Sequence, residues 1–205
     1  MQSGNHIGLL LNDVISDILI EKLESLLAKL IELHPYCNKH KNSRGEAIMF
    51  HFGFWKKNSR INKIYEIKAS KCFISKLFIT ETAIIWDLVS KLCKKYYPDI
   101  WDKYFKNILN LHLPYSFAIW TCVAINYLLR AEVHKDSYDS KNGICVIIPI
   151  GNFKGGNLIL NEYNCSIEIK RKSIFMLNSQ YVMHENEPFV GNRSSIVLFS
   201  CEDMQ

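Results

Sequence analysis

"AINYLLRAEVHKDSYDSKNGICVIIPIGNFKGGNLIL", residues 124–160, is the stretch on which the fold turns. Its apolar runs, "AINYLL" and "ICVIIPI", are short and bounded by Lys, Asn, Gly and Ser, the texture of buried strands rather than of a helix. Between them His134 and Asp136 stand two apart. In extended backbone, residues i and i+2 point to the same side, so this imidazole and carboxylate converge while Lys135 points away. Gly155-Gly156, entering "NLIL", implies a close backbone approach or a bulge near a pocket rim.

Toward the C-terminus the texture persists in "SIEIK", "SIFMLN" and "SSIVLFS", with turn residues at near-regular spacing. His184, in "SQYVMHENEP", follows His134 after several such strands, and Arg193, in "GNRSSIVLF", opens the last one. Two His and one carboxylate on one face of an octahedron, with three adjacent positions open, form the ligand set of non-haem iron centres. His134, Asp136 and His184 are therefore the candidate catalytic metal ligands. The remaining histidines, His6, His34, His40, His51 and His112, have no such partner in sequence. The Arg193 guanidinium suits a dicarboxylate cosubstrate held bidentately, with the Ser195 hydroxyl on the same strand face. If "INYLLRAEVH" is regular strand, Asn126, Leu128, Arg130, Glu132 and His134 share a face, which nominates Asn126 and Arg130 for the cosubstrate's C1 carboxylate or for the outer shell of the metal.

Toward the N-terminus the pattern changes. Val14, Ile15, Ile18, Leu19, Leu23, Leu26, Leu27, Leu30 and Ile31 recur with helical period up to His34-Pro35, predicting an amphipathic helix over 13–33. "GEAIMFHFGF" reads as a strand, Thr80 as an N-cap, and Pro98 as the first turn of a helix carrying Trp101, Tyr104, Phe105 and Ile108. Helices followed by many short strands predict an α+β fold: a double-stranded β-helix (jelly roll) core over 117–205, buttressed by a mostly helical, basic support region over 1–116. At 205 residues this is one domain.

Seven cysteines, odd in number and without a C-x-x-C pair, argue against a disulfide framework or a structural zinc site and for a reducing, intracellular compartment. Acidic residues break the N-terminal leucines, and no apolar run reaches membrane-spanning length, so a soluble protein with no membrane partner is expected. The formal charge of +5 is uneven: residues 39–106 carry 15 basic against 6 acidic side chains, with Lys and Arg interleaved with aromatics in "FHFGFWKKNSR" and "KLCKKYYP". Such a stretch reads as a surface that tracks a phosphate backbone or as a solvated lysine-rich face.

Taken together, H-x-D, G-G-x-L, the distal His and R-x-S resemble the 2-oxoglutarate and Fe(II)-dependent dioxygenase superfamily, over roughly residues 117–201. Within it, the Asn before H-x-D, "GNFKGGNL" and "HENEP" are most similar to the TET/JBP branch, in its fungal, transposon-associated form. The resemblance implies Fe(II) and 2-oxoglutarate as cofactors and molecular oxygen as cosubstrate. It also implies oxidation of the methyl group of a modified nucleobase, foremost 5-methylcytosine in DNA, to hydroxymethyl and beyond, by a nuclear monomer. It carries a base-reading role to Asp139, which otherwise caps the turn into "SKNG". It carries a base-stacking role to Phe199, which otherwise is a core residue. Where the family has a base-reading His, this chain has Cys201, a departure that bears on selectivity and not on iron. The same superfamily also offers protein (prolyl-type) and small-molecule hydroxylation. Prolyl hydroxylases hold the cosubstrate with Lys where this chain has Arg193. A third reading is a nucleic-acid-binding module with a vestigial pocket.

Overall fold

The computed structural model describes residues 7–36, 39–42, 45–58 and 61–204. In chain order the elements are β1 (Gly8–Leu11), α1 (Asp17–Leu33), β2 (Lys39–Asn42), β3 (Gly45–Asn58), β4 (Ile61–Glu66), α2 (Phe73–Glu81), α3 (Ala83–Tyr96), α4 (Pro98–Leu111), β5 (Cys122–Tyr127) and β6 (Cys145–Ile150). They continue as β7 (Phe153–Gly155), β8 (Leu158–Leu160), β9 (Cys165–Ile167), β10 (Ile174–Leu177), β11 (His184–Asn186), β12 (Phe189–Gly191) and β13 (Ser194–Phe199).

A large antiparallel sheet runs β1-β10-β6-β13-β5-β3-β2, with β4 on the far part of β3; a smaller one runs β11-β8-β9, and β7 pairs with β12. The central strands are apolar on both faces because both faces are covered. Val123, Ile125, Val146, Ile148, Ile196 and Leu198 point to one side, where they pack with Ile20, Leu23, Leu27 and Leu30 of α1, Phe78 of α2 and Trp86 and Val89 of α3. Cys122, Ala124, Cys145, Ile147 and Phe199 point to the other, toward Leu158 and Leu160 of β8. Each fully buried side chain of this size contributes about 1.5–3 kcal/mol. The two-residue alternation thus sorts a helix-packing face from a cavity face on the same strands.

Helix α1 starts at Ser16, whose Oγ accepts from the Leu19 N–H at 3.4 Å, and ends at His34 before Pro35. Pro98 opens α4 as expected. Thr80 does not cap a helix: it lies inside α2, and the chain turns at Thr82, whose Oγ1 donates back to the Phe78 carbonyl at 2.6 Å. A hydroxyl spent on the preceding helix leaves α3 without a side-chain cap.

The strand expected over "GEAIMFHFGF" is β3, which runs on to Asn58 and lies directly against β5; the first half adds β1, β2 and β4 beside it. Among the described residues no helix is long and apolar enough to cross a membrane, and none of the six described cysteines is in a disulfide.

Several lysines of the basic middle stretch are engaged with aromatics inside the molecule. Lys68 lies over Tyr36 at 4.6 Å, Lys76 over Tyr115 at 4.4 Å and Lys94 over Trp101 at 4.1 Å. The interleaving of cations and rings there is in part intramolecular packing. The end of "KHKNSR" (43–44) and of "KKNSR" (59–60) lies outside the described residues.

Candidate metal centre

The segment before H-x-D and β11 form a backbone ladder: His134 N–H donates to the His184 carbonyl at 3.0 Å, His184 N–H to that of His134 at 2.9 Å, and Asn186 N–H to that of Ala131 at 2.9 Å. The two histidines are thus directly opposed partners, with ring centroids 4.3 Å apart. Asp136 is placed by its N–H, which donates to the Ser179 carbonyl at 3.2 Å. The nearest side-chain atoms converge: His134 Nε2 to Asp136 Oδ1 and His184 Nε2 to Asp136 Oδ2 are both 3.8 Å, and one ligand atom from each residue fits within 4.8 Å.

The tautomers follow from the backbone. His134 Nδ1 is 2.7 Å from the Glu132 carbonyl and His184 Nδ1 is 2.9 Å from the Val182 carbonyl. A carbonyl only accepts, so both Nδ1 atoms carry the proton and both Nε2 lone pairs face Asp136. Such outer hydrogen bonds hold histidines in metal sites in the orientation and tautomer that ligation needs. The donor set, two neutral imidazole nitrogens and a carboxylate, fits Fe(II).

The triad lies in the wall of a cavity of about 300 Å³. Asn126, Ala124, Ile147, Ser195, Val197 and Phe199 line it from the large sheet, and Leu158, His184 and Asn186 from the small one. Arg193 reaches it nearly fully buried, at 1% exposure, with its guanidinium 5.4 Å from the Phe153 ring and 6.0 Å from that of Phe189. Burial pulls its pKa down to about 10, which leaves it charged at neutral pH.

Its Nε has no partner, and no carboxylate among the described residues pairs with it. A buried, uncompensated cation is costly. A carboxylate ligand in the cavity would compensate it. Asn126 Nδ2 lies 3.4 Å from Ser195 Oγ, while Asn126 Oδ1 is buried without a partner. Gly156 makes room for Arg193: a Cβ there would meet Arg193 Cδ at 2.7 Å, and φ is +73°. These orphaned polar groups and the glycine cradle fit a dicarboxylate such as 2-oxoglutarate.

The structure places two nominated residues outside this cavity. Arg130 is exposed, and its Nε donates to the Asn186 carbonyl at 3.3 Å. The strand ends at Tyr127 and Leu128 takes φ +54°, so the parity argument breaks two residues before Arg130, and Leu129 lines the cavity in its place. Cys201 is 2% exposed in the cavity-side core and does not line the pocket; its backbone bridges to Asp139. Its short thiol stays within that packing.

Asp139 and Phe199 do line the cavity, and Asp139 Oδ2 accepts from Ser179 Oγ at 2.7 Å. Sequence reading missed Ser179, Asn186, Trp55 and His51. For His51 a signal existed. In "MFHFGF", Phe50 and Phe52 mark the helix-packing face, so His51 had to face the opposite way.

The fold is similar to that of solved proteins that include a 2OG-Fe(II) oxygenase family member from Burkholderia pseudomallei, at a TM-score of 0.50 and 12% identity over 96% of this chain and 86% of that one. NgTET1, solved in complex with 5mC DNA, superposes with a TM-score of 0.75 at 16% identity, over 97% of this chain and 73% of that one. OsALKBH1 gives 0.56 at 8% identity, over 97% and 99% of the two chains. A prolyl-4-hydroxylase from Pseudomonas putida gives 0.53 at 11%, over 96% and 94%. No family model matches the sequence, and no curated protein matches it by sequence.

Proposed function

We propose that this chain is a 2-oxoglutarate and Fe(II)-dependent dioxygenase that oxidises the methyl group of a modified nucleobase, with 5-methylcytosine in DNA as the leading substrate. One observation carries the reading: the Nε2 atoms of His134 and His184 meet Asp136 in the same cavity that holds the buried guanidinium of Arg193, whose Nε has no partner. We read the two facing sheets as the double-stranded β-helix, with the site at its mouth.

His134, Asp136 and His184 would hold the iron, and Arg193 with Ser195 the distal carboxylate of 2-oxoglutarate, with Asn126 beside them. When bound, Fe(II) and 2-oxoglutarate supply the oxidation: molecular oxygen is consumed, 2-oxoglutarate is decarboxylated to succinate, and the methyl group gains a hydroxyl. The chain's own contribution is orientation and exclusion of water. Glu132 and Val182 carbonyls keep the proton on Nδ1, so that Nε2 remains a ligand. The Phe153 and Phe189 rings keep water from the guanidinium.

The Asp139 carboxylate accepts from the exocyclic amine of cytosine and has nothing to offer the O4 acceptor of thymine. Phe199 stacks on the extruded base, which offsets part of the unstacking cost. Tyr138, at the cavity lip and 74% exposed, extends the aromatic surface outward.

Incubation with Fe(II), 2-oxoglutarate and duplexes that differ only in cytosine, 5-methylcytosine or thymine at one position tests this. Mass spectrometry should find an oxidised base in the 5-methylcytosine duplex. Turnover of 2-oxoglutarate on a prolyl peptide with every duplex untouched would favour the hydroxylase reading.

A further inference from the structure

His51 has no part in the chemistry so far. It sits on β3 opposite Ala124, beside a pairing of Met49 with Asn126, and therefore on the strand row that borders the cavity. Ala124 offers only a methyl group, so the neighbouring β5 position does not screen the imidazole. The His51 ring is 6.1 Å from that of Phe199 at 68° and 6.3 Å from that of Trp55 at 32°. Trp55 lines the cavity as well. Three rings from two strands thus line the cavity that Asp139 also lines.

We propose that His51 is a specificity-determining residue of this pocket, reading the edge of an amino-bearing pyrimidine jointly with Asp139; this rests on the nucleobase reading above. The chemistry of the two groups is complementary. The Asp139 carboxylate, whose Oδ2 accepts from Ser179 Oγ, is an acceptor group. An imidazole presents an N–H donor and, on its other nitrogen, an acceptor. The edge of cytosine offers an amine donor next to a ring-nitrogen acceptor and a carbonyl acceptor. The amine goes to Asp139, and the imidazole N–H goes to the adjacent acceptor.

Thymine sets O4 against Asp139, acceptor against acceptor, and a ring N–H where the imidazole presents its donor, so the imidazole must give up that tautomer to keep a contact. With Cys201 in the core, β3 supplies an imidazole to this wall. Trp55 closes the same wall and stacks at its rim.

The test is equilibrium binding of the Fe(II)- and 2-oxoglutarate-loaded protein, under anaerobic conditions so that nothing is oxidised. The probes are labelled oligonucleotides with 5-methylcytosine or thymine at one position. His51→Leu keeps the bulk and removes the hydrogen bond; His51→Gln keeps a donor and an acceptor.

We expect the preference for 5-methylcytosine to fall about ten-fold in His51→Leu and to recover in part in His51→Gln, with iron and 2-oxoglutarate binding unchanged. Both variants discriminating like wild type would overturn the proposal and leave the nucleobase reading standing. Equal losses in both would assign His51 a packing role and also overturn it. A wild type without any preference would overturn both.

Discussion

At the scale of single residues, the account depends on how few atoms hold the site in shape. Gly156 gives way to Arg193, and an alanine there meets both a 2.7 Å approach to Cδ and a backbone at φ +73°. The left-handed conformation alone costs a non-glycine residue roughly 1–2 kcal/mol. Gly156→Ala should therefore raise the 2-oxoglutarate Kd about ten-fold or more while iron binding is kept. Calorimetric titration of the cosubstrate distinguishes this from a general loss of fold.

Ser179 is a comparable point, since its hydroxyl holds Asp139 and its carbonyl holds the Asp136 N–H. Ser179→Ala should leave iron uptake intact and lower kcat/KM on a 5-methylcytosine oligonucleotide by about ten-fold, consistent with one charge-assisted hydrogen bond. An unchanged kcat/KM would show that Asp139 needs no such support.

Much of this was legible in the sequence. His134, Asp136, His184 and Arg193 announce themselves by residue type and order. The partners of Ser179 (Asp139), of His51 (Phe199) and of Gly156 (Arg193) lie 37 or more residues away, and no local pattern encodes those pairings, although alternation does give the direction of His51.

Among elements, strand parity was the strongest tool and failed where the backbone left regular geometry. It holds for β5, where Asn126 and Ala124 face the cavity and Val123 and Ile125 the helices. It fails beyond Tyr127, where a left-handed Leu128 moves Arg130 outside. Helical periodicity found α1 and, with Pro98, α4, because amphipathic helices carry their burial in their own spacing. It undervalued β3, whose value lies in its neighbour β5.

The seat of α1 against the sheet gives an element-scale expectation. Glu24 accepts from Arg171 Nε at 2.8 Å and Nη2 at 2.9 Å, and from the Gly151 N–H at 2.9 Å, joining α1 to the turn after β6. The Arg171 hydrogen bonds hold the Glu24 carboxyl below its ordinary value, against a burial effect that works the other way. A lowered folded pKa means stability that is present above the unfolded carboxylate value, about 4.3, and lost as pH falls through the folded one. Glu24→Gln should cost about 1–2 kcal/mol at pH 7 after allowance for partial screening. The gap from wild type should close in acid. Denaturant melts at pH 7 and pH 3 check this, and a gap that widened in acid would contradict it.

Over the whole molecule, two sheets and a helical layer place chemistry where strands from distant parts of the chain meet. The large sheet brings Asn126, Ser195 and His51 together, and the small sheet brings His184 opposite His134. The overall likeness to NgTET1 at 16% identity is a likeness of this layered fold. Packing faces tolerate wide change of apolar side chains, whereas a ligand set and its orienting carbonyls do not.

The central claim is that the triad and Arg193 form one working centre. Anaerobic titration of the chain with Fe(II) and then 2-oxoglutarate addresses it directly. The account predicts one Fe(II) per wild-type chain, binding weakened at least 100-fold in His134→Ala and His184→Ala, and Arg193→Ala retaining iron but losing 2-oxoglutarate. Wild type taking up no more Fe(II) than His134→Ala would contradict it.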